Sequence, residues 1–144
     1  MSLDMYLSKN TYVGSSNNRL KITGIKSQIQ IPRVKHITEE IAVWRKANAI
    51  HQWFVNNVQD GNDDNNPYFV STEKLKELLE LCKQVLKDPN RAPEMLPTQG
   101  GFLFGSTEYD NRYFQSLDYT VETLKNEFNK DEDNRQEYVY QSDW

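Results

Sequence analysis

The chain has 144 residues, 37% apolar and 12% aromatic, with a net charge of −4 and a pI near 5.2. That length fits one domain with a real core, and three Trp, eight Tyr and six Phe let few residues bury much area. Apolar runs of only a few residues exclude a membrane-spanning helix. The start, Met1-Ser2-Leu3-Asp4-Met5-Tyr6, has no secretion-signal pattern, and the lone Cys82 excludes an internal disulfide and fits a reduced, cytoplasmic protein.

In chain order, residues 3–13 alternate Leu3, Met5 and Leu7 with Asp4, Tyr6 and Ser8, which predicts a strand with one buried face. Gly14 to Asn18 is a loop by composition. A second alternation runs over 20–31 (Leu20, Ile22, then Ile25, Ile29, Ile31). Gly24 breaks its phase, as at a bulge or hairpin tip, and Pro32 ends it. Residues 34–41 fit a third strand (Ile37, Glu39, Ile41) or the approach to a helix over 42–58.

On that helix, steps of about 100° put Trp44, Ala47, Ile50, Phe54 and Val55 on one arc. His51 falls inside the arc and Asn48 at its edge. Arg45, Lys46 and Gln52 lie opposite, and Trp53 falls among the polar residues. A buried imidazole or carboxamide costs about 1–3 kcal/mol when unpaired, so His51 and Asn48 need partners. The favoured expectation is structural: both bond backbone groups of the Leu96–Gly105 segment and fix its path.

Gln59 to Pro67 is a loop, and Tyr68-Phe69-Val70 a short extended piece. Ser71 or Thr72 caps a helix through Lys87, with Leu75, Leu78, Leu79, Cys82, Val85 and Leu86 at helical spacing. Residues 89–99, with three prolines, form a connector, and Phe102-Leu103-Phe104 a short buried strand or a tight segment between glycines. Thr107 and Asp110 have capping-box spacing. A helix then runs to about Asn129 on Tyr113, Phe114, Leu117, Val121, Leu124 and Phe128. Asp131 to Asn134 is a charged turn, and residues 136–141 alternate as a final strand. The order predicts a single α+β domain over 1–144: a mostly antiparallel sheet with about three helices.

Few patterns carry chemistry. Gly100 to Thr107 has phosphate-loop spacing, but Ser106 stands where the lysine belongs, and Glu108 and Asp110 repel an anion. Asp60 to Asn66 resembles the start of a calcium loop, but Asn65 replaces its glycine and Ser71 its terminal glutamate. His36, His51 and Cys82 lack zinc-ligand spacing, and no pattern calls for a metal or a cofactor. Only polarity recommends Ser106 as a nucleophile with His51 as base. Lys21, Lys26, Arg33 and Lys35 form a basic cluster, with Arg33 and Lys35 on one strand face, but the low pI disfavours nucleic acid. Residues 1–58 carry eight Lys/Arg against three Asp/Glu, and residues 59–144 nine against eighteen. Such a chain can show unlike faces to unlike partners.

Two long words carry a resemblance: Trp44-Arg45-Lys46-Ala47-Asn48-Ala49-Ile50-His51 with Trp53-Phe54-Val55, and Leu96 to Ser106 (Leu-Pro-Thr-Gln-Gly-Gly-Phe-Leu-Phe-Gly-Ser) with Tyr109-Asp110. With Leu3-Asp4-Met5-Tyr6-Leu7 they cover about a third of the chain and resemble a family of small proteins encoded by bacteriophages and prophages. The cysteine that members often carry near Asp64 to Asn66 is absent here. The family has no assigned activity, so the resemblance implies a phage-related setting and no chemistry. The expectation is a cytoplasmic accessory protein that binds an unidentified protein partner, with no catalytic residues assigned. The alternative is a small-ligand site or enzyme built where the two words meet. There His51 is the acid/base, Asn48 and Tyr109 are hydrogen-bonders, Arg45 takes an anion, and Asp110 completes the set. The sequence leaves the oligomeric state open.

Overall fold

The computed structural model describes residues 2–14, 28–130 and 136–144. Four strands, β1 (Asp4–Tyr12), β2 (His36–Arg45), β3 (Tyr68–Val70) and β4 (Gln136–Asp143), form one antiparallel sheet in the order β2-β1-β4-β3. The helices are α1 (Asn48–Asn57), α2 (Thr72–Lys87), the single turn α3 (Ala92–Met95) and α4 (Asn111–Phe128). This is the expected α+β class, with three long helices and one short.

Strand alternation sorts the sheet into two faces. Met5, Leu7, Ala42, Trp44, Val70, Tyr138 and Tyr140 are buried on the helix side. Phe54 of α1 stacks on Tyr140 at 3.8 Å between ring centroids. Leu75, Leu78, Cys82 and Val85 of α2 and Leu117 and Leu124 of α4 complete the core. On the other face Tyr6 is half-buried, and Val43 and Phe69 are exposed. In the sheet the basic first part of the chain supplies the neighbours β2 and β1, and the acidic second part β4 and β3.

The caps follow side-chain chemistry. Ser71 Oγ accepts from Lys74 N at 3.2 Å to start α2. Asp110 Oδ1 accepts from Tyr113 N at 3.1 Å to start α4, so Asp110 is itself the cap rather than the far end of a Thr107 box. Asp88 and Pro89 end α2 as expected.

Four local expectations are corrected. The helix predicted from 42 begins at Asn48, because Ala42 and Trp44 remain paired with β1. Lys46, with φ +56°, then turns the chain. Trp44 is thus buried by strand alternation rather than by a helical face. Trp53, placed among polar residues by the wheel, is buried, with its ring 5.1 Å from that of Phe54. Phe102 to Phe104 is a turn in which Phe102 is fully exposed and Phe104 buried. Ile31–Arg33 is a single 3-10 turn, so Arg33 shares no strand face with Lys35. Residues 28–30 are not in a strand either; residues 20–27 of the predicted strand, with Lys21, Gly24 and Lys26, and the turn at Asp131 to Asn134 lie outside the described residues. A bulge falls at Ile41, where the β1–β2 register shifts between Leu7 and Ser8.

Candidate functional site

The two segments that carry the resemblance do meet, and Asn48 joins them. Its Nδ2 donates to Phe104 O and Ser106 O, both at 2.9 Å, and its Oδ1 accepts from Gln99 N at 3.0 Å. One buried carboxamide thus ties three backbone groups of the 99–106 segment to the first turn of α1. The segment is also held by Leu3 N, which donates to Leu103 O, and by Tyr113 Oη, which donates to Leu96 O at 2.7 Å. Gly105 is required where the segment passes Lys46. Its φ is +83°, and a Cβ there would lie 3.1 Å from Lys46 Cβ.

His51 was expected to help hold this segment through its backbone, and it does not. Its ring meets Phe104 edge-on at 5.4 Å, but both nitrogens are engaged elsewhere. Nε2 lies 2.8 Å from Asp63 Oδ1 and Nδ1 2.7 Å from Tyr140 Oη, and the residue is wholly buried. A carboxylate only accepts, so Nε2 carries the proton and Nδ1 accepts from the Tyr140 hydroxyl. Burial, helped by the charge of Asp63, pushes the Tyr140 hydroxyl well above its usual range, which keeps it a donor. Trp144 Nε1 also donates to Asp63 Oδ1, at 3.2 Å. The imidazole therefore ties α1 to the 59–67 loop and to the end of β4. In that loop Asp64 is engaged as well: the Tyr68 hydroxyl, then Asn66 N, holds its carboxyl below the usual range.

The other candidates gather on a different side of α1. A cleft of about 690 Å³ opens between the β2–α1 junction and the start of α4, with Arg45, Asn48 and Asp110 in its lining. Arg45 Nε donates to Ser2 Oγ at 3.1 Å and lies 3.6 Å from Asp4, with most of its side chain exposed. Tyr109 lies alongside: its hydroxyl accepts from Thr98 N, and its ring meets Tyr113 at 5.0 Å. His51 is not in the lining. Ser106 does line the cleft, but its hydroxyl accepts from Glu108 N, and its backbone, not its side chain, meets Asn48.

Three groups in this cleft were missed from sequence: Lys46, Arg112 and Tyr119. Arg112, Gln115, Ser116 and Tyr119 lie at helical spacing on the polar side of α4 and all line the cleft. That spacing is legible in the sequence, but the apolar stripe of α4 is the stronger signal. Lys46 and Arg112 make no ion pair among the described residues. Glu108 and Asp110 share the lining, Asp110 with its carboxylate engaged in the cap of α4.

A second polar cluster also escaped sequence reading. Lys9, on the buried face of β1, reaches Glu127 of α4 at 2.6 Å, and both are nearly fully buried. Tyr138 Oη donates to Glu127 Oε1 at 3.0 Å, and Lys130 lies 3.6 Å from Oε2. Burial alone would raise the Glu127 carboxyl. The hydrogen bonds from Lys9 and Tyr138 and the charges of Lys9 and Lys130 overcome it and hold the carboxyl below its usual range. Cys82 has no such partners among the described residues, and burial pushes its thiol up to about 12, so it is an inert core group.

Fold and site together define a small α+β domain with a sheet covered by helices on one face and a polar cleft beside its edge strand. Comparison with protein-family models, curated proteins and solved structures finds no match.

Proposed function

We propose that this chain is a binding module, an accessory protein of a phage or prophage that acts in the bacterial cytoplasm by engaging a protein partner through the cleft beside Arg45 and Asn48. One observation carries the reading. The groups best suited to chemistry, His51 and Asn48, have their polar atoms taken by protein partners, whereas the cleft presents Lys46 and Arg112, which make no ion pair among the described residues. The phage setting rests on the resemblance carried by residues 44–55 and 96–110.

The test places a photo-crosslinking residue at Gln115 and exposes the protein to bacterial host lysate. One dominant adduct is expected. It should disappear in the Lys46→Glu/Arg112→Glu variant while the melting temperature is kept. Adducts that are unaffected by charge reversal refute the reading.

The cleft volume also lies within the range of about 300–1,000 Å³ usual for small-molecule sites. This supports the second reading, a small-ligand site using Arg45, Asn48 and Asp110. A thermal shift with small carboxylates or phosphates, abolished by Arg45→Ala, would favour it over a protein partner.

A further inference from the structure

The cleft has a property that neither its charge nor its volume describes: one wall is a strand edge left unpaired among the described residues. β2 is an outer strand of the sheet, and its last residues, Val43 to Arg45, line the cleft. Lys46 N donates to Leu3 O at 2.8 Å, so Lys46 turns its backbone groups toward β1. In an antiparallel ladder the direction alternates, so Val43 and Arg45 turn theirs outward. The hydrogen bond from Val43 N to Tyr119 Oη, at 3.0 Å, lies on that outer side. The Arg45 amide and the Val43 and Arg45 carbonyls have no such partner among the described residues. The opposite wall is the polar side of α4, with Arg112 and Gln115. A groove between an edge strand and a helix suits an extended chain, because main-chain bonds to the edge give affinity and side chains set the choice of sequence.

The rest of the edge is guarded. Toward its start β2 carries Glu39 and Glu40 and the bulge at Ile41, devices that discourage strand pairing. Beyond the bulge no acidic residue lies on the strand, and Arg45 and Lys46 end it. The open stretch of edge therefore lies beside Lys46, which makes no ion pair among the described residues, and Arg45, 3.6 Å from Asp4.

Resting on the reading of this cleft as a binding surface, we infer that it takes an extended peptide segment bearing a carboxylate, added as a short antiparallel or parallel strand on the outer edge of β2 at Val43 and Arg45. Lys46 and Arg112 receive the carboxylate. Tyr119, by holding the Val43 amide, ends the added strand.

The experiment selects a randomised decapeptide display library on the full chain and measures the selected peptides by fluorescence anisotropy. Asp or Glu should be enriched at one position. Affinity should fall at least tenfold in Lys46→Glu/Arg112→Glu, and by a smaller factor in Lys46→Gln/Arg112→Gln, with thermal unfolding unchanged in both. N-methylation of alternate peptide amides should weaken binding at least tenfold in one phase and little in the other. Amide exchange at Arg45 should slow on binding. No acidic enrichment, or equal binding by both N-methylated peptides and their parent, overturns the inference. If the peptides fail in this way while the lysate adduct at Gln115 still depends on Lys46 and Arg112, only strand addition is wrong. If that adduct is also indifferent to charge reversal, the binding-module reading falls with it.

Discussion

Replacing Glu127 by Gln tests whether the buried ion pair governs the stability of this domain. The substitution keeps an oxygen to accept from Tyr138 and preserves the volume, so it removes little but the charge. Lys9 is then left as an ammonium in a site 7% exposed, with Glu39, half exposed at 3.9 Å, as its remaining carboxylate. Breaking a buried pair costs about 3–5 kcal/mol when the surviving charge is stranded. The retained amide oxygen and Glu39 bring the expected loss down to about 2–3 kcal/mol. For a chain of this length that lowers the melting temperature by roughly 10 °C. Lys9→Met in the same background removes the stranded charge and should recover most of the loss, giving a coupling energy of about 2 kcal/mol in a double-mutant cycle. Urea unfolding followed by circular dichroism at pH 7 measures both. The folded carboxyl titrates below its unfolded value, about 4.3 for glutamate. The stabilisation is therefore complete above that range and disappears as pH falls through the folded value. Wild type should lose stability between neutral pH and about pH 3 more steeply than Glu127→Gln. A single variant within about 0.5 kcal/mol of wild type at pH 7, or identical pH profiles, would refute the reasoning.

Asn48→Ala strands Gln99 N, Phe104 O and Ser106 O together and should cost about 2–3 kcal/mol in urea unfolding, with faster amide exchange at Gln99. His51→Ala leaves the Tyr140 hydroxyl without its acceptor and should cost at least about 1–3 kcal/mol, so unchanged thermal unfolding would contradict the role given to it. Gly105→Ala, at φ +83° and against Lys46 Cβ, should destabilise by about 1 kcal/mol or more, and Lys46→Gly should relieve part of that loss in the double variant.

Much of the architecture was legible locally. Alternation located β1 and β4, and three- and four-residue spacing located α2 and α4, because each element buries one face and leaves the other wet. The junction at 42–47 was not legible. Trp44 fits a helical arc with Ala47 as well as it fits strand alternation with Ala42. Pairing with Met5 of β1 and the left-handed turn at Lys46 decide between them. Phe102 misled for a similar reason: an aromatic between glycines looks like core, and only the path of the 99–106 segment turns it outward.

The candidate site divides along the same line. The sequence alone established that Asn48 and His51 occupy costly positions and must be paired, since that follows from polarity and helical spacing. Which partners they find depends on elements 12 to 89 residues away in the chain: Asp63 and Tyr140 for His51, and the 99–106 backbone for Asn48. The cleft, with Arg112 and Tyr119 of α4 set beside the outer edge of β2, exists only once the helix packs under the sheet. Local composition determines which groups need company. The long-range packing of strands and helices determines which groups meet and which are left facing the cleft.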